Sequence, residues 1–313
     1  MTYSPVLSRA QGCLLGQLAG DSLGSLVEFK PPQEIAAYYP DGVRELADGG
    51  VWGTLKGQPT DDSEMALMLA RSLIKEGSFK TKAVKEAYLF WLHSGPFDLG
   101  GTISSSLTGQ INPDSQANGA LMRVSPLGIF GVGHDLKKVA EWAKADAMLT
   151  HVHPICQQVN ALFAMAIACS IETGPTPAVL YEQIVTWAQE MDAESAILAT
   201  ITAAEQAPPP DFMRQQGWVL KAFQNALYQL RHADNLEEGV VDTVGRGGDT
   251  DTNAAICGAL LGAVYGREQI PRQWEQCVLN CRPSSLDKEV LRPRPKVFWP
   301  VDALEVAEQL LGL

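Results

Sequence analysis

The feature that most restricts the fold of this chain is the period of its apolar residues, which is helical almost everywhere. From Asp62 to Glu76, Met65, Leu69 and Leu73 recur with Ala66 and Ala70 between them, a stripe down one helix face. Thr81 to His93 repeats the pattern through Val84, Tyr88 and Trp91. The same reading covers Ser8 to Val27, Leu136 to Thr150, Pro154 to Thr173, Thr176 to Gln189, Asp192 to Gln206, Trp218 to Arg231, Leu236 to Val244 and Thr252 to Tyr265. Runs with the two-residue alternation of a half-buried strand are scarce. An all-α fold is therefore predicted. The Pro- and Gly-rich stretch from Lys30 to Pro59 reads as irregular, and Gly95 to Gly101 as a turn-rich loop. The helices on either side of Pro208-Pro209-Pro210 are alike in composition, so a surface loop within one domain over residues 1–313 is expected there.

Composition narrows the function classes. Of the 313 residues, 46% are hydrophobic, ample for a sizeable core. A formal net charge of -12 repels a phosphate backbone, and the densest basic stretch, Arg292 to Lys296, is short and broken by prolines, so generic nucleic-acid binding is disfavoured. The six cysteines form no C-x-x-C pair, which points to free thiols in a reducing compartment. Arg9, Gln11, Gln17 and Asp21 interrupt the first apolar stretch, which does not read as a signal peptide. The longest uninterrupted apolar run, Ala254 to Gly266, is too short for a bilayer. A cytoplasmic protein with no membrane partner is the expectation.

Two acidic segments sit where loops become helices. Thr60-Asp61-Asp62, followed by Glu64, opens one; Gly247-Gly248-Asp249-Thr250-Asp251-Thr252-Asn253 opens another. Capping accounts for one such oxygen at each helix start, and the dipole favours acidic residues there. Two aspartates and a threonine at each exceed what capping needs. If the two ends meet, their carboxylates require cations to remain ionised together. All-oxygen ligands without His or Cys suit Mg²⁺ or Mn²⁺ better than zinc, and a pair of ions bridged by shared carboxylates is a natural arrangement.

The ordered set of motifs resembles the ADP-ribosylglycohydrolases. It comprises GDSLGSLVEF at Gly20 to Phe29, PTDDSEMAL at Pro59 to Leu67, PFDLGGT at Pro96 to Thr102, NGALMRVSPL at Asn118 to Leu127, LTHVHP at Leu149 to Pro154, and GGDTDTNAAICGALLGAVYG at Gly247 to Gly266. The resemblance implies a compact all-α fold with a central dinuclear metal cleft. It implies Thr60, Asp61, Asp62, Asp249, Asp251 and Thr252 as ligands of two divalent ions. Glu28 would lie on a mobile segment beside them, and Asp62 or Glu28 would act as base. Asp98 would face the guanidinium of an ADP-ribosylated arginine and assist its departure. Gly100, Ser115, Asn118, Gly119 and His151 would contact the substrate, with His153 structural. Asp21 would pack or support the ligands, and Arg123 would form a structural ion pair. Trp52 and the other aromatics read as core.

The implied reaction is hydrolytic release of ADP-ribose from a modified protein, with arginine as the expected linkage. Gly101 departs from the family pattern, which often carries Asn there, and this leaves a serine or nucleobase linkage open. A dinuclear phosphoesterase would use the same carboxylates but would give Asp98 no role. A catalytically silent ADP-ribose-binding protein would be expected to lack ligands that are all present here.

Overall fold

The computed structural model describes residues 4–313. Fifteen α-helices follow in order: α1 Pro5–Gly24, α2 Pro32–Tyr38, α3 Asp61–Glu76, α4 Thr81–His93, α5 Gly101–Leu107, α6 Ser125–Phe130, α7 Leu136–Ala147, α8 Pro154–Thr173, α9 Pro177–Glu190, α10 Ser195–Gln206, α11 Val219–His232, α12 Leu236–Gly245, α13 Thr250–Tyr265, α14 Arg272–Asn280 and α15 Ala303–Leu310. The described residues contain no sheet, only isolated bridges at Gly49–Thr54 and Ala117–Trp218. One apolar cluster runs from Ala10 in α1 to Leu310 in α15.

The centre of the molecule is the pair α1 and α13. Neither has a polar face, and almost every residue of both is buried, as expected of a helix surrounded by others. They run antiparallel with glycines at the contact. A Cβ on Gly12 would stand 2.5 Å from the Gly262 carbonyl oxygen, on Gly16 2.2 Å from that of Gly258, and on Gly20 2.2 Å from that of Ala254. At Gly24 it would meet the Asp251 backbone at 2.4 Å. Glycine at every fourth position of α1 brings backbone against backbone along nearly its whole length. The end of α1 is thereby fixed against the start of α13, and the Thr250 hydroxyl donates to the Gly24 carbonyl at 2.7 Å.

Helix α8 is long and apolar enough by composition to cross a membrane, but 83% of that stretch is buried by its neighbours, which makes it a core helix. The stretch from Lys30 to Pro59 is more ordered than its composition suggests. It contains α2, which begins at Pro31-Pro32 and buries Ile35, and a tight hairpin between Gly49 and Thr54. Proline at a first helical turn costs no hydrogen bond.

Two buried ion pairs brace the elements around the cleft. Arg123 bonds Asp146 at 3.2 Å with both side chains fully buried, and Asp146 also accepts from the Tyr88 hydroxyl at 2.7 Å. Arg123 is thus the structural ion pair expected of it. In α3, Glu64 takes Arg294 through two 2.7 Å bonds, and Arg294 also donates to the carbonyls of Ser94 and Gly95. The C-terminal segment is in this way tied to the loop that carries Asp98.

Candidate active site

The ends of α1, α3 and α13 converge on a cleft of about 330 Å³. Glu28, Asp61, Asp98, Asn118, Gly119, His151, Asp249 and Thr252 line it, together with Gly100, Gly101 and Thr102. Thr60, Asp62 and Asp251 lie buried beside them.

Capping does not explain the acidic residues. Thr60 and Asp249 occupy the cap positions of α3 and α13, yet neither side chain makes a capping hydrogen bond. The cap of α3 comes from another helix. Asp21, fully buried in α1, accepts from the Thr60 N–H at 3.1 Å and the Ser63 N–H at 3.1 Å. The Thr60 hydroxyl lies 2.9 Å from both Asp21 and Asp62. With α3 capped from outside, capping requires neither Asp61, which lines the cleft, nor Asp62, buried beside it.

Oxygen atoms crowd this region without partners. Glu28, Asp249 and Asp251 each offer a carboxylate oxygen within 4.8 Å of the others'. Asp62 Oδ1 and Asp251 Oδ2 are buried with no hydrogen-bond partner among the described residues. Burial pushes the carboxyls of Asp61, Asp62 and Asp251 well above the usual carboxylate range, and neighbouring carboxylates push them further. Burial, then Asp98, raises Glu28 to about 8. Asp21 is raised to about 7 by burial, against the hydrogen bonds it accepts. Buried polar groups normally find a partner. Orphaned hard oxygens buried among mutually repelling carboxylates, with no Lys or Arg paired to them among the described residues, are what a pair of divalent cations would satisfy. The residues fit such ions.

The other side of the cleft is neutral. Asn118 is committed to the acidic side, since its amide donates to Asp249 Oδ2 at 2.7 Å. The His151 Nδ1 lies 2.8 Å from the Thr150 hydroxyl, and its Nε2 has no partner among the described residues. Burial, then Arg123, lowers His151 to about 3, so the ring is neutral at physiological pH. Gly119 packs against it: a Cβ there would stand 3.1 Å from His151 Cε1 and 2.9 Å from Ile103. His153 accepts from the Ile155 N–H at 3.2 Å and caps α8, the structural part expected of it. Ser115 does not line the cleft; its hydroxyl lies 2.8 Å from that of Thr102, which does.

Asp98 stands near Asp61 with no cation paired to it among the described residues. Burial raises it to about 6. The Gly100 N–H points to Asp61 Oδ2 at 3.4 Å. Asp21 has the supporting part expected of it, capping α3 and bonding Thr60. Trp52, expected in the core, instead donates its indole N–H to Glu28 at 2.6 Å. No local pattern marks that bond, because it crosses 24 residues.

A model of the ADP-ribosylglycohydrolase family matches residues 2–301. The ADP-ribosyl-[dinitrogen reductase] glycohydrolase of Rhodospirillum rubrum is 31% identical, covering 97% of this chain and 98% of its own length. The ADP-ribosylarginine hydrolase Tri1 of Serratia proteamaculans is 26% identical, covering 94% of this chain and 81% of its own. A solved structure titled "ADP-ribosylglycohydrolase-related protein complex" superposes with a TM-score of 0.79 at 25% identity, covering 98% of both chains. By sequence along nearly its whole length, and by fold, this chain belongs to the ADP-ribosylglycohydrolase family.

Proposed function

We propose that the protein hydrolyses the glycosidic bond joining ADP-ribose to a modified protein, that the preferred linkage is to arginine, and that ADP-ribose is the product. The observation that carries the linkage is Asp98, a carboxylate on the cleft wall with no cation paired to it among the described residues. A substrate guanidinium would supply that cation through charge-assisted, bidentate hydrogen bonds. Similarity to an ADP-ribosylarginine hydrolase supports the same choice.

Thr60, Asp61, Asp62, Asp249, Asp251 and Thr252 would hold two divalent ions, Mg²⁺ or Mn²⁺, with Glu28 beside them. Such ions supply charge neutralisation and Lewis-acid activation of water. The protein's own groups do the rest. Asn118 fixes the orientation of Asp249. The neutral His151 offers its unpartnered Nε2 to a polar group of the substrate without competing for the cations. Asp62 or Glu28 accepts the proton of the attacking water as oxocarbenium character builds at the ribose, and Asp98, ionised against the guanidinium, stabilises the departing guanidine, which takes up the proton that the water gave.

A serine or nucleobase linkage is the second reading, and Gly101 favours it. A Cβ there would meet nothing within 4 Å, so the wall beside Asp98 has room for a different leaving group. The test is incubation with arginine-, serine- and nucleobase-linked ADP-ribose, with mass spectrometry of the products. Release from the arginine conjugate, abolished by metal stripping and chelator, is expected. Full turnover by stripped protein in excess chelator overturns the metal assignment, and release from the other conjugates alone overturns the linkage.

A further inference from the structure

Glu28 faces the acidic cluster, yet one of its oxygens is held from outside that cluster. The Trp52 indole Nε1 donates to Glu28 Oε2 at 2.6 Å. Trp52 rides on the Gly49–Thr54 hairpin, closed by reciprocal backbone bonds of 2.8 and 2.9 Å. That hairpin is pressed onto the turn after α1. The Val51 N–H donates to the Ser25 carbonyl at 3.2 Å, and a Cβ on Gly50 would stand 2.7 Å from the Leu26 Cα. The indole also meets the Phe97 ring, centroids 6.0 Å apart, one residue before Asp98. Arg292 secures both: its Nε donates to the Trp52 carbonyl at 2.8 Å, and its guanidinium lies 5.9 Å from the Phe97 centroid.

We propose that Trp52 is a positioning residue whose indole N–H holds Glu28 against Asp249 and Asp251 and whose ring links that carboxylate to the Asp98 loop through Phe97. An indole suits this task chemically. It has a single donor, no acceptor and no charge, so it can orient a carboxylate without neutralising it. A Lys or Arg in its place would cancel the negative charge that a divalent ion needs. The indole bonds one Glu28 oxygen, and a carboxylate has lone pairs on both oxygens to offer the cluster. Trp52 is only partly buried, so its place is explained better by the bond and the ring contact than by the core.

The inference rests on the proposed function only for the meaning of the site, and its test does not require turnover. Metal-stripped wild type, Trp52→Phe, Glu28→Gln and the double variant are titrated with Mn²⁺. Phenylalanine keeps a ring against Phe97 and removes the N–H. A charge-assisted hydrogen bond is worth roughly a tenfold change in affinity or more, so Trp52→Phe is expected to weaken Mn²⁺ binding about tenfold. The double variant should be no weaker than Glu28→Gln alone, because the indole acts on the metal only through the carboxylate charge that Glu28→Gln removes. Wild-type affinity in Trp52→Phe, or losses that add, overturns the proposal. A second measurement leaves Trp52 intact. The assigned Trp52 indole N–H resonance should move upfield in Glu28→Gln, and an unmoved resonance overturns the proposal whether or not Trp52→Phe folds. Wild-type protein that releases ADP-ribose from no conjugate would refute the functional reading, and these two measurements would still decide on Trp52.

Discussion

Replacing Asp21 by alanine tests how the start of α3 is held. Asp21 accepts from two backbone N–H groups, those of Thr60 and Ser63, each at 3.1 Å, and from the Thr60 hydroxyl. In Asp21→Ala the hydroxyl keeps Asp62 as its acceptor. The two N–H groups lose theirs in a fully buried place. An unpaired buried donor costs about 1–3 kcal/mol, and a lost cap costs about 1 kcal/mol. Removing a carboxylate also relieves repulsion with Asp61 and Asp62. That relief is greatest without metal, so the clean measurement is at saturating Mn²⁺. There Asp21→Ala is expected to lose about 3 kcal/mol, which for a domain of this size lowers Tm by roughly 5 °C. Asp21→Asn keeps a carbonyl oxygen where Oδ2 serves both N–H groups, and it should stay within about 1 kcal/mol of wild type. Thermal unfolding followed by circular dichroism at fixed Mn²⁺ reads both. An asparagine variant as unstable as alanine would show that charge, not bond count, is what Asp21 supplies. An alanine variant at the wild-type Tm would show that α3 is capped in some other way.

Asp61→Asn and Asp251→Asn should each weaken Mn²⁺ binding at least about tenfold by titration, since a carboxylate ligand is lost; in chelator their Tm should rise, whereas the capping alternative predicts a small fall. Asp98→Ala should cut kcat/KM for ADP-ribosyl-arginine by about a hundredfold or less, the worth of a charge-assisted bond, and leave calorimetric affinity for free ADP-ribose within about threefold; equal losses would make Asp98 a support of the fold. Metal-stripped protein should lose stability as pH rises. Glu28 moves from 4.5 unfolded to about 8 folded, and Asp98 from 3.8 to about 6. Both carboxyls therefore stay protonated in the fold after they ionise in the unfolded chain, so the associated stability is fully present below about pH 4 and is lost as pH climbs through 8. Tm in chelator should fall between pH 5 and pH 8, and saturating Mn²⁺ should flatten that slope.

Much of this was legible in the sequence, and the exceptions share a cause. Periodicity located α3, α4 and α8 because each buries a long apolar surface. It passed over α2, α5, α14 and α15, of seven to nine residues, which are too short to establish a period. Thr60-Asp61-Asp62 and Asp249-Thr250-Asp251-Thr252 stood out because they hold more acidic oxygen than a helix start needs. The cap that Asp21 supplies and the part of Trp52 did not, because the bonds of Asp21 cross 39 and 42 residues and that of Trp52 crosses 24. Ser115, expected at the substrate, bonds Thr102 of the cleft wall, a pairing that linear order does not encode.

The glycine contact between α1 and α13 has a consequence for how damage would travel. Where side chains separate two helices, a substitution can be absorbed by a new rotamer. Between Gly20 and Ala254 there is no side chain to yield, and an added methyl would meet a carbonyl oxygen at 2.2 Å. The helices would have to part, and Asp21 rides on one of them while Asp251 rides on the other. The spacing of the carboxylates is thus inherited from main-chain atoms, like the gap of a caliper whose jaws are closed at the hinge. A lesion at Gly16 or Gly20 would misalign chemistry it never touches, in a molecule whose helices could all remain intact.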